Sequence, residues 1–97
     1  MNVMVISKRV FRVKHIEKLA PLLQKLSDIS EKQPGFISRT TYSKLNDPGE
    51  YIVVSKWETA DAWGNCMSLT EAKEIQWQID SLIGERTSFE IYKAEEF

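Results

Sequence analysis

Residues 51–57, YIVVSKW, are apolar on both sides of an extended chain: Tyr51, Val53 and Trp57 on one, Ile52 and Val54 on the other. Side chains alternate between the two faces of a strand. A run of this kind therefore belongs in the middle of a sheet and needs cover above and below. Residues 3–13 begin the same way, with Val3 and Val5 set against Met4 and Ile6. Residues 36–45 and 86–94 are also rich in β-branched and aromatic types but more polar, as edge strands are.

Helix-length segments lie between these runs. Ile16, Leu19, Ala20, Leu23, Leu26 and Ile29 recur at helical spacing. Pro21 has no N–H and is best tolerated in a first turn. It predicts a regular helix from near Leu19 or Ala20 after a looser lead-in, or a kink. Pro34-Gly35 ends it. The sequence NDPG, residues 46–49, predicts the turn of a hairpin between the second and third strands. A short helix is predicted over about residues 60–66. Ser68-x-x-Glu71 fits a capping box for a longer helix ending at Gly84, with the stripe Ala72, Ile75, Ile79, Leu82 and Ile83. At 3.6 residues per turn, Trp77 points almost opposite to that stripe.

The order is βαββαβ with the second helix broken in two, a ferredoxin-like α+β fold. It has a four-stranded antiparallel sheet with the first and third strands central. The 97 residues make one domain, residues 1–97. Helices cover only one face of such a sheet. The sheet of a second, identical chain is the simplest cover for the other, so a homodimer is expected.

Composition narrows the partners. The chain is 42% hydrophobic and 28% charged, with net charge −1. Neither nucleic acid nor an anionic membrane is an expected partner. The longest apolar run, residues 3–6, is far too short for a membrane span, and no signal-peptide pattern is present. One cysteine cannot form an internal disulfide, so a cytoplasmic setting is expected. Basic residues gather at Lys8, Arg9, Arg12, Lys14 and Lys18 and acidic ones at Glu90, Glu95 and Glu96. Both groups read as solvated surface.

Few residues carry reactive chemistry. His15, the single histidine, reads as a solvent-facing loop residue between two lysines. Cys66 has no histidine near it in sequence and reads as a small buried thiol. No set of ligands for a metal is expected, and no glycine-rich phosphate loop occurs. The aromatics say more. Trp57 ends the third strand, and Trp63 sits on the short helix with Cys66 and Met67 at i+3 and i+4. Such groups wall an apolar pocket for a flat ligand, or fill a core with no void. Phe11, Arg39 and Tyr42 add walls and polar contacts to the pocket, depending on strand register.

Three segments in order, FRVKH at residues 11–15, QPGF at 33–36 and SKWETADAW at 55–63, resemble the antibiotic-biosynthesis-monooxygenase superfamily of dimeric α/β barrels. The resemblance implies a homodimer with sheets face to face and a pocket between sheet and helices in each subunit. Members include cofactor-free monooxygenases of aromatic polyketides or quinols, and haem-degrading proteins. Where the haem-degrading members carry a catalytic tryptophan this chain has Cys66, and where they carry the haem-ligating histidine it has Gln76. Their strand-one asparagine falls among Ser7, Lys8 and Arg9. The resemblance thus argues against haem degradation. The histidines of quinol-oxidising members, in the segment matching residues 66–72, are also absent.

The expected function is cofactor-independent monooxygenation of a small aromatic or quinol substrate, with no cofactor. The alternatives are a non-catalytic homodimer that binds a hydrophobic ligand, haem included, and a structural dimer with no ligand. In the cofactor-free route the substrate's own carbanion passes an electron to oxygen. The protein supplies desolvation, an aromatic slot and a donor for the developing oxyanion; Trp63, Tyr42 and Arg39 are donors of that kind.

Overall fold

The computed structural model describes residues 2–10 and 16–97. Its elements are β1 (Val3–Val10), α1 (Ile16–Glu31), β2 (Phe36–Lys44), β3 (Asp47–Trp57), α2 (Ala60–Met67), α3 (Thr70–Ile83) and β4 (Ser88–Lys93). The strands form one antiparallel sheet in the order β2-β3-β1-β4. The strands that are apolar on both sides, β1 and β3, are the central ones. This is the α+β arrangement expected from the element order, with its second helix in two pieces.

The two faces of the sheet differ. Val5 of β1 and Trp57 of β3 pack with Cys66 of α2 in one buried cluster, joined by Trp63 and Phe89. Leu19 and Leu26 of α1 meet Ala72, Ile75 and Ile79 of α3 in a second. Both lie on the helix-covered side. Met4, Ile6, Ile52 and Val54 face the other way and join neither cluster. No helix among the described residues is long and apolar enough to cross a membrane.

Three local expectations are corrected. First, α1 starts at Ile16 and contains Pro21. The N–H that Pro21 lacks would have paired with the Glu17 carbonyl. Both residues are exposed, so that carbonyl lies on the solvent side of the helix. The Leu19–Leu26 stripe, packed on α3, carries the helix through. Second, residues 46–49 are not the hairpin turn. Lys44 already pairs with Asp47, so the chain reverses at Leu45-Asn46. Asp47 instead uses its Oδ1 to accept from the Gly49 N–H at 3.3 Å. Third, Ser68 opens no capping box. It closes α2, donating from Oγ to the Gly64 carbonyl at 2.8 Å, and α3 starts with Leu69 at its N-cap and no side-chain cap. The start of α2 does have a polar cap: Thr59 Oγ1 accepts from the Ala62 N–H at 3.1 Å.

The end of α3 is as the sequence indicates, with Gly84 left-handed at φ 85°. Trp77 is 70% exposed, opposite the buried stripe of Ala72, Ile75 and Ile79.

Candidate functional site

The helix-covered face of the sheet is not apolar throughout. Along β1 the inward positions run Val5, Ser7, Arg9, all buried. Ser55 stands two residues before Trp57 on β3 and is also buried. Arg39 of β2 lies opposite Ser55 in the sheet and so shares its face. Ser7, Arg9, Arg39 and Ser55, with Ser30 of α1, form the polar lining of an interior cavity.

The apolar lining is Leu26, Trp57, Trp63, Met67 and Phe89. The cavity's volume is about 10 Å³, about the room that one water-sized sphere requires. Trp57 is 1% exposed and belongs to the core. Its ring meets Phe36 edge-on at 5.3 Å, and its Nε1 donates to Ser55 Oγ at 3.0 Å. Trp63 is half-buried and lies against Phe89 at 5.5 Å. Met67, one turn later on α2, is half-buried too. These two are the lining residues of α2.

Arg9 is 4% exposed. Its Nη2 donates to Gln76 Oε1 at 3.3 Å, while Nε and Nη1 have no hydrogen-bond partner among the described residues. Burial above all, then the charge of Arg39, lowers its pKa to about 10, against a smaller opposing pull from Asp80. It remains a cation at neutral pH. Burial likewise lowers the pKa of Arg39, opposed by Cys66 and Glu31. Gln76 is held from behind: its Nε2 donates to Asp80 Oδ1 and to Thr87 Oγ1, each at 2.8 Å. Thr87 fixes Asp80 in turn through its N–H at 3.1 Å and its hydroxyl at 2.7 Å.

Cys66 lies just behind the lining, 1% exposed against Val5 and Trp57. Its Sγ is 3.8 Å from Ser30 Oγ. Burial raises the pKa of the thiol, so it stays protonated at neutral pH. Among the described residues no three His, Cys, Asp or Glu side chains gather as metal ligands.

Of the residues singled out in the sequence, the structure brings Trp57, Trp63, Arg39 and Met67 to the cavity and places Cys66 beside it. Tyr42 is elsewhere. It pairs with Ile52 on the open face of the sheet and is 52% exposed, so it lines no common site with Arg39. Phe11 and His15 fall outside the described residues. Arg9 is the residue that the sequence reading missed. Its place in a basic cluster suggested solvated surface, but the strand alternation Val5-x-Ser7-x-Arg9 carries it inward.

The four-stranded antiparallel sheet with its split second helix places the chain in the ferredoxin-like α+β class. The profile of the family named antibiotic biosynthesis monooxygenase matches residues 2–77, and the chain belongs to that family. Solved structures share the fold. A conserved protein from Methanosarcina mazei Go1 superposes with a TM-score of 0.90 at 18% identity, covering 98% of this chain and 94% of that one. SnoaB, a cofactor-independent oxygenase from Streptomyces nogalater, gives 0.80 at 14% identity, covering 99% and 94%. Rv0793 from Mycobacterium tuberculosis gives 0.85 at 15% identity, covering 100% and 98%. Among curated proteins no match is found.

Proposed function

We propose that the protein is a cofactor-independent monooxygenase that acts on a small aromatic or quinol substrate, as a cytoplasmic homodimer. The observation that carries the reading is the half-buried guanidinium of Arg39, in one cavity with the rings of Trp63 and Phe89. The rings offer a wall for a flat substrate. The guanidinium offers donors where negative charge develops, in a site with little water to compete. Membership of the monooxygenase family and the shared fold of SnoaB support the same reading.

In this reading an activated methylene or ring carbon loses a proton. The carbanion passes an electron to oxygen, the radical pair combines to a peroxide, and the peroxide loses water. A methylene and one O₂ thus give a carbonyl and one H₂O, and the electrons come from the substrate. Homodimerisation covers the apolar face that carries Ile6 and Val54.

Oxygen uptake tests the proposal, with an anthrone and a dihydroxynaphthalene as substrates and a chelator present. Saturable uptake above autoxidation is expected. With isotopically labelled oxygen gas, one labelled atom should enter the product and one should enter water. Uptake no faster than autoxidation with both substrates overturns the proposal. The small cavity volume favours a second reading, a dimer that holds no ligand there. It would show neither uptake nor any ligand-induced shift in melting temperature.

A further inference from the structure

We propose that this cavity takes its ligand as an oxyanion: a small aromatic molecule whose ring-bound oxygen or carboxylate lies, ionised, against Arg9 and Arg39. The inference rests on the reading of the cavity as a substrate site and adds the charge and class of the substrate.

Nε and Nη1 of Arg9 carry one and two N–H groups, and neither nitrogen has a partner among the described residues. An ionised side chain left unpaired in a protein interior is strongly destabilising, and a second cation in the same cavity adds to the cost. The carboxylates nearby do not offset it by pairing. Asp80 Oδ1 accepts from Gln76 Nε2 and from both the N–H and the hydroxyl of Thr87. It therefore braces Gln76, whose carbonyl oxygen accepts from Arg9 Nη2. The ion pairs among the described residues engage Lys8, Lys44 and Lys93, not these arginines. Among the described residues no Asp, Glu or His lines the cavity.

Among the described residues, then, the cavity is a fixed positive field with donors to spare and no anion in its lining. A neutral ligand would leave those donors unpaired, whereas an anion gains charge-assisted hydrogen bonds, the strong kind. The same field lowers the pKa of a bound phenol or enol. Its proton leaves to solvent and no carboxylate or imidazole of the lining is needed to take it. An oxygen of the ligand is about the size of the space present. Its ring is admitted by displacement of Met67, an unbranched and adaptable side chain, beside Trp63.

The probe is 4-nitrophenol, whose phenolate is coloured and whose neutral form is not. Protein titrated into the dye just below its own ionisation midpoint should raise the phenolate band saturably. Benzoate should reverse the rise and benzamide should not. Arg9→Gln and Arg39→Gln should each weaken phenolate binding about tenfold or more, and Arg9→Lys should restore part of it. Binding of the neutral dye, equal competition by benzamide, unchanged affinity in Arg39→Gln, or no binding of dye and benzoate overturns the proposal. So does displacement by inorganic phosphate at the concentration effective for benzoate, which would make this a site for inorganic anions. Should Arg9→Gln not fold, Arg39→Gln carries the test alone. The assay needs no turnover. Phenolate binding without oxygen uptake keeps the oxyanion site and removes the monooxygenase, and uptake with neutral binding does the reverse.

Discussion

Gly35 and Ala62 are in contact: a methyl group added at Gly35 would lie 2.6 Å from the Ala62 Cβ. Gly35 has φ 86°, and its carbonyl accepts from the Glu58 N–H at 2.8 Å. The turn after α1 is thus seated on the start of α2, the helix that walls the cavity. Gly35→Ala combines left-handed strain with overpacking against a backbone that is tied down. It should cost about 2 kcal/mol or more, read as a lower urea midpoint at unchanged slope. An unchanged midpoint would mean that the two segments do not press on one another.

The two tryptophans near the cavity should separate cleanly. Trp57→Ala removes a core ring and leaves Ser55 without its donor, and about 3–5 kcal/mol of stability should go with it. Trp63→Ala removes a half-buried ring packed on Phe89 and should cost about 1–2 kcal/mol, while ligand binding and oxygen uptake fall steeply. Equal losses of stability in the two variants would place Trp63 in the core and not in the wall.

Val54 lies opposite Ile6 and Thr40 on the face of the sheet that no helix covers. A charge there faces solvent in a monomer but is buried unpaired in a sheet-to-sheet dimer. For the proposed homodimer, Val54→Lys should therefore give a folded monomer. Light scattering reads the mass, and circular dichroism reads the retained fold. A variant that keeps the wild-type mass at the same concentration argues that the face is not the interface.

Cys66 should resist alkylation. Burial raises its pKa above the ordinary thiol value, which leaves less thiolate at any given pH. Modification by iodoacetamide should be slow at neutral pH and keep accelerating above the pH at which a free thiol is fully ionised. Denaturant should abolish the protection. Fast labelling of the folded protein would mean that the thiol is accessible and activated.

The sequence alone determined the element order, the central place of β1 and β3, the buried stripe of α3 and the outward Trp77. Each follows from a local period, of two or of 3.6, that the chain carries whatever surrounds it. It also placed Trp57, Trp63 and Cys66 near one another, because a strand end and a short helix follow directly in the chain. Only the tertiary structure decided which side of β2 faces the cavity. Phe36 pairs with Trp57, but Ser38, not Ile37, pairs with Lys56. That one-residue register shift reverses every later side chain, as any slip of a period-two pattern must. Without it, Tyr42 would point to the helices and Arg39 away from them; with it, Arg39 enters the cavity and Tyr42 leaves. Arg9 was hidden for a related reason. Its charge and its basic neighbours read as surface, and nothing local says that Gln76, sixty-seven residues on, is braced by Asp80 and Thr87 to receive it.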